Sequence, residues 1–236
     1  MWKRSVFSRN LRLTLPFFEK AGVRQPEYGE VLRNMLGDAF DFVFRHPGKN
    51  ARFEVSESSI PVLEEMRRGG LFLTAHYGNH EILGYRLAEL ALPLNSAAQE
   101  QKPEFFERWL KKKRTFGGKR FAKKVDMAHL MEFIDGGGLF ALLADQDFRK
   151  PVPRPLREKC EGEFLGVKVR CNPLPAFILE HRRDVRVFCG VVGANTLFLK
   201  ELPSRNFYAH YHSWLEGLIL ENPAKWYGWF HGRFSR

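Results

Sequence analysis

Chemistry is available to this chain first at His76 and Glu81, within the run Thr74-Ala75-His76-Tyr77-Gly78-Asn79-His80-Glu81. An imidazole exchanges a proton near neutral pH. A carboxylate folded against it fixes the tautomer and stabilises the imidazolium, so the pair has the composition of a general base with its orienting acid. Leu71-Phe72-Leu73, just before, is an apolar run that predicts a buried strand, and Ile82, Leu83, Leu87 and Leu90 after it give one side of a helix. Such a strand–turn–helix corner holds His76 at a sheet edge facing a cleft, with Glu81 on the first helical turn. The same pattern also describes an ordinary turn that happens to contain a histidine.

A second polar group follows an apolar run at Leu142-Leu143-Ala144-Asp145-Gln146-Asp147. Residues just past the carboxyl end of a buried strand sit where open α/β sheets bind ligands. If this strand lies beside the first, Asp145 and His76 share one cleft; otherwise Asp145 belongs to a polar turn. A third group is cationic: Lys111, Lys112, Lys113, Arg114, Lys119, Arg120, Lys123 and Lys124 place eight cations in 14 residues, with Phe116 and Phe121 between them. A charge run is commonly a solvated face, but this one supplies much of the chain's net charge of +11 and is expected to dock an acidic partner. No nucleic-acid-binding module accompanies it. His76 and His80, four apart with Glu81 adjacent, also have a spacing that holds zinc on a helix. Gly78 and Asn79 favour a turn there and no third ligand stands out, so no metal is expected. A basic binding protein without catalysis remains a third class, supported by charge alone.

The elements that must position these groups alternate. Helices are expected over Glu27 to Arg45, Ile60 to Arg68, Pro103 to Arg114, Met127 to Asp135, Pro173 to His181 and Phe207 to Glu221. Strands are expected at Arg52 to Val55, Leu94 to Gln99, Leu139 to Ala144, Val167 to Arg170, Val185 to Val192 and Thr196 to Leu202, and residues 148 to 163 are expected as a Pro- and charge-rich loop. Strands separated by helices predict an α/β fold: a single layered domain over 1–236, with a mixed, mainly parallel sheet flanked by helices. Hydrophobic residues make up 44% of the chain, which excludes wholesale disorder. Cys160, Cys171 and Cys189 show neither metal spacing nor a disulfide framework, which points to a reducing compartment. No apolar run reaches the ~18–20 residues of a membrane-spanning helix. Arg9, Asn10 and Arg12 interrupt the apolar core that a cleavable leader needs. Residues 1–25 are expected as an amphipathic arm, lying in a membrane interface or packed on the domain.

The ordered set of motifs carries a resemblance. His76-x4-Glu81 in HYGNHE, then Leu143-Ala144-Asp145-Gln146-Asp147, Phe164-Leu165-Gly166 and Pro223-Ala224-Lys225-Trp226 to Phe234 resemble the bacterial lipid A late acyltransferases, a lauroyl/myristoyl branch of the lysophospholipid acyltransferase superfamily. The segment from Asn10 to Pro16 resembles their N-terminal region, so the likeness spans nearly the whole chain.

The resemblance implies a glycerol-3-phosphate acyltransferase-like fold. It implies transfer of a fatty acyl group from an acyl carrier protein or CoA thioester to a hydroxyl of a phosphorylated glycolipid, at the cytoplasmic face of the inner membrane. No metal or organic cofactor, no nucleic acid and a monomeric protein are implied. An acceptor other than a lipid A precursor, such as another glycolipid or a secondary metabolite, is the alternative. His76 would be the base, Glu81 its orienting acid, and Arg114, Asp145 and Gln146 substrate-binding. The chain departs from the family in having His80 where tryptophan is usual, in Lys168, Arg170, Cys171 and Asn172 after the Phe-Gly loop, and in lacking the spanning N-terminal helix. Peripheral attachment is therefore expected.

Overall fold

Gly70–Thr74 (β2) is the strand on which the fold is built: five residues, each buried on both sides, as expected of a strand covered by helices on its two faces. The structure, a computed structural model, describes residues 2–44, 54–97, 108, 121–122, 126–146, 152, 154–193, 195–232 and 234. In chain order the described strands are β1 (Glu54–Val55), β2, β3 (Leu94–Ala97), β4 (Phe121–Ala122), β5 (Leu139–Leu143), β6 (Glu161–Phe164), β7 (Val167–Arg170), β8 (Val187–Gly193) and β9 (Thr196–Leu202). Seven of them form one sheet in the order β1-β9-β8-β2-β5-β3-β4, while β6 and β7 make a separate hairpin. Within the large sheet only β8 and β9 pair antiparallel, so the sheet is mixed and mainly parallel, as the alternating pattern predicts.

The described helices are α1 (Trp2–Ala21), α2 (Tyr28–Phe44), α3 (Ile60–Met66), α4 (His80–Glu89), α5 (Met127–Asp135), α6 (Arg154–Cys160), α7 (Pro173–His181) and α8 (Phe207–Glu221). The two-residue period of the strands sorts them onto opposite faces. Phe72, Leu139, Ala141 and Phe188 pack with Leu63 and Met66 of α3 and Leu83 and Leu87 of α4. Leu71, Leu73, Phe140, Leu142, Val187 and Cys189 face the larger core, with residues of α1, α5, α7, α8 and the aromatic stretch Trp226 to Phe234.

Residues 148 to 163 depart from the expected loop. Their described part forms α6 and the strand β6. Leu156 and Cys160, four residues apart, are both buried, which gives the short helix an apolar side despite its charges. The β6–β7 turn at Leu165 (φ 51°) and Gly166 (φ 74°) is left-handed at both positions, the requirement of a two-residue hairpin. Leu165 tolerates that backbone because its side chain is fully buried and its N–H donates to Glu216 at 2.6 Å.

The amphipathic arm becomes α1, which packs Phe7, Asn10, Thr14 and Phe18 inward. Pro16 interrupts its backbone hydrogen bonding on the exposed side. Among the described residues, no helix is long and apolar enough to cross a membrane.

Candidate active site

Strands β2 and β5 pair in parallel with Gly70 opposite Leu139 and Thr74 opposite Leu143. The register continues past the strand ends, where Ala144 N–H donates to Thr74 O at 2.8 Å. His76 and Asp145 thereby arrive side by side at the carboxyl edge of the sheet, the condition under which the two sequence motifs share a cleft. Two further bonds lock the end of β2. Tyr211 Oη donates to Thr74 O at 2.7 Å, and Thr74 Oγ1 donates to Gly190 O at 2.9 Å.

The ring of His76 meets Asp145 directly, with Nδ1 at 2.8 Å from Oδ1. The other carboxylate oxygen, Oδ2, accepts from the His76 backbone N–H at 3.0 Å and from the Trp226 indole N–H at 2.9 Å. Asp145 is only 1% exposed, so its charge is compensated by these three donors rather than by water. An ionised carboxylate only accepts, so Nδ1 of His76 carries the proton and Nε2 is left with its lone pair. The Gln146 amide nitrogen lies 3.4 Å from Nε2, and the His76 side chain keeps 14% exposure, so the basic nitrogen faces the open side.

The electrostatics follow from this geometry. Burial would lower the pKa of His76, but the charge and hydrogen bond of Asp145 outweigh it, and the charge of Glu81 adds to them, so the net shift is upward. Burial would raise Asp145, yet the adjacent His76 and the three donors hold it well below the usual carboxylate range. Two more imidazoles flank the pair: the rings of His80 and His231 each have their centroid 4.9 Å from that of His76. Burial, followed by the charge of His76, depresses both to about 4, so at neutral pH they are uncharged walls.

The segment after α8 completes the site. Tyr227 N–H donates to His76 O at 2.7 Å, and Gly78 N–H donates to Lys225 O at 2.9 Å. Gly78 has φ +56°, and a Cβ there would stand 3.2 Å from Val192 O, so the turn between His76 and α4 favours glycine on both counts. Asn79 then caps α4 through its side chain on Ile82 N–H, and its amide donates to Asp38 O at 3.0 Å. Asp38 in turn accepts from the Tyr227 hydroxyl.

His76, Asp145 and Gln146 come together. Sequence reading gave the orienting role to Glu81 and a ligand-binding role to Asp145. In the structure Nδ1–H of His76 donates to Asp145, which is enclosed, while Glu81 sits in the first turn of α4 and its charge also acts on the ring. Arg114 and the basic cluster from Lys111 to Lys124 lie outside the described residues, as does Asp147. Helix α4 begins at His80, so His76 and His80 do not share a helix and the zinc spacing is not realised. Among the described residues, no group of three His, Cys, Asp or Glu is arranged to hold a metal ion.

Trp226, His231 and Asn10 were not singled out as site residues by sequence reading. The aromatic density of the stretch from Trp226 to Phe234 was the available signal for the first two. The molecule is thus an α/β protein with a buried His–Asp pair at the carboxyl edge of a parallel strand pair. No family model matches the chain, and no curated protein matches it.

Proposed function

We propose that the chain is an O-acyltransferase of the lysophospholipid acyltransferase type, with a glycerol-3-phosphate acyltransferase-like fold. It moves a fatty acyl group from an acyl carrier protein or CoA thioester to a hydroxyl of a glycolipid at the cytoplasmic membrane face, where it attaches peripherally. The observation that carries the reading is the His76–Asp145 pair, whose geometry leaves Nε2 as a base at the open end of the sheet. The ordered likeness of HYGNHE, the Asp145-Gln146 corner and the Trp226 segment to the lipid A acyltransferases supports the choice of reaction.

Nε2 of His76 takes the proton of the acceptor hydroxyl as its oxygen attacks the thioester carbonyl carbon. The carbon–sulfur bond then breaks, and the imidazolium returns its proton to the thiolate. Asp145 holds the tautomer and stabilises the imidazolium, and Gln146 borders the reacting nitrogen. Arg114 or backbone N–H groups stabilise the oxyanion. Among the described residues, neither a serine nor a cysteine side chain is hydrogen-bonded to His76, and the three cysteines are buried. This favours direct transfer to substrate over a covalent acyl-enzyme.

The test is turnover of an acyl thioester with membrane glycolipids by wild type and His76→Ala, with products weighed by mass spectrometry. Loss of about a hundred- to ten-thousand-fold in rate is expected. Turnover near that of wild type would make His76 structural. A product formed on a small-molecule hydroxyl instead would move the acceptor while keeping the chemistry.

A further inference from the structure

Helix α1 has two unlike faces. Inward, Phe7, Asn10, Thr14 and Phe18 are buried. The Asn10 amide nitrogen donates to Trp229 O at 2.9 Å and to His231 O at 2.8 Å, and Thr14 Oγ1 donates back to Asn10 O at 3.0 Å. Arg9 adds a bond to Phe234 O at 2.9 Å. These contacts hold the stretch that carries His231, whose ring lies against His76, and Trp226, which bonds Asp145.

Outward, the exposed residues of α1 include the cations Arg4, Arg12 and Lys20 against one acid, Glu19, while the exposed Lys3 and Arg9 reach toward His231 and Phe234 O. Leu13 (36% exposed) and Leu15 (42%) stand among them.

We propose that the outward face of α1 docks on an anionic bilayer while its inward face fixes His231 against His76, so that one helix joins the membrane surface to the reacting site. The bilayer is chosen over other acidic partners because a nucleic-acid backbone uses the cations but has no place for Leu13 and Leu15. A headgroup region with acyl chains beneath it uses both. The inference rests on the reading above only in taking the acceptor to be a membrane lipid.

The outward half is tested by sedimentation with vesicles of phosphatidylcholine alone and of phosphatidylcholine mixed with phosphatidylglycerol, a measurement that needs no turnover. Binding is expected only with phosphatidylglycerol. It should weaken about thirtyfold in Arg12→Gln/Lys20→Gln, from two surface cations, and fall again in Leu13→Ser/Leu15→Ser. The control is Phe40→Ser/Phe44→Ser, on the exposed side of α2, which should bind as wild type does.

Equal binding to both vesicle types overturns the proposal. So does loss of binding in the α2 variant with none in the α1 variants, and so does equally tight binding to duplex DNA that the Leu13→Ser/Leu15→Ser variant keeps.

The inward half is tested by the NMR titration of the His76 ring in Asn10→Ser and, independently of how that variant folds, in His231→Asn. Loosening the flanking ring lets water reach His76 and relieves the burial that opposes protonation, so its midpoint should rise in both. Midpoints identical to wild type in both overturn this half. Because neither readout uses acyl transfer, a failed docking and a failed enzyme assignment are told apart.

Discussion

The indole N–H of Trp226 donates to Asp145 Oδ2 at 2.9 Å from a position with no solvent exposure, 81 residues along the chain from its acceptor. The same oxygen accepts the His76 backbone N–H, so the indole and the loop that follows β2 share one atom. Trp226→Phe keeps the aromatic bulk and removes the donor. A buried hydrogen bond to a charged group contributes about 1.5–3 kcal/mol, so chemical denaturation should show a loss of that order. An unchanged denaturation midpoint would mean that water replaces the indole.

Asp145 and Glu81 are separable by isosteric change. Asp145→Asn turns an acceptor into a group that favours the wrong His76 tautomer, and a rate loss of about 10⁴-fold is the expected scale. Glu81→Gln removes a charge whose effect on the His76 ring ranks below that of Asp145, and should cost less. Measuring kcat/KM for both decides which carboxylate orients the ring. A larger loss in Glu81→Gln than in Asp145→Asn would return that role to Glu81.

Stability should depend on pH in two opposed ways. His76 is raised in the folded state, so its contribution is fully present below the unfolded value of about 6.5 and is lost as pH rises through the raised value. His80 and His231 are depressed to about 4, so between there and about 6.5 the unfolded chain binds more protons. Stability therefore falls as pH drops through that window, by up to about 1.4 kcal/mol per pH unit for each, and by less for the partly exposed His231. Tm measured across the window should slope less steeply in His231→Phe. Parallel slopes for the variant and wild type would show that His231 titrates normally.

Gly228 meets Trp226 so closely that a Cβ there would lie 2.1 Å from the indole ring. The ring is fully buried and cannot yield cheaply. Gly228→Ala should destabilise by about 1–3 kcal/mol and also lower activity, since the indole that moves is the one bonded to Asp145. Wild-type Tm in that variant would show that the backbone at 228 gives way instead.

What the sequence made legible was local. The corner at His76, the polar end of β5 and most element boundaries follow from apolar runs that stop at glycine, asparagine or aspartate. The choice of carboxylate was not local. Glu81 is five residues from His76, and Asp145 reaches it only because β2 pairs with β5, a register that no short window encodes. Trp226 was visible as part of an aromatic end, but its indole partner is set by the Tyr77–Trp226 bridge, a contact across the fold. The helix α6 was hidden by charge and proline, since among its described side chains Leu156 and Cys160 alone mark a buried side. The packing of the arm at 1–25 on Trp229 and Phe230 was equally hidden, because its inner and outer faces are both partly apolar and the partners lie at the far end of the given sequence.

The bond from Asn10 to the Trp229 carbonyl spans 219 positions. During synthesis the helix that bears Asn10 is made 219 residues ahead of its partner, a delay of roughly 10–45 s at ordinary elongation rates. Through that interval Phe7 and Phe18 have no aromatic stretch to cover them, and the nascent chain carries a sticky, cationic helix ahead of an unfinished sheet.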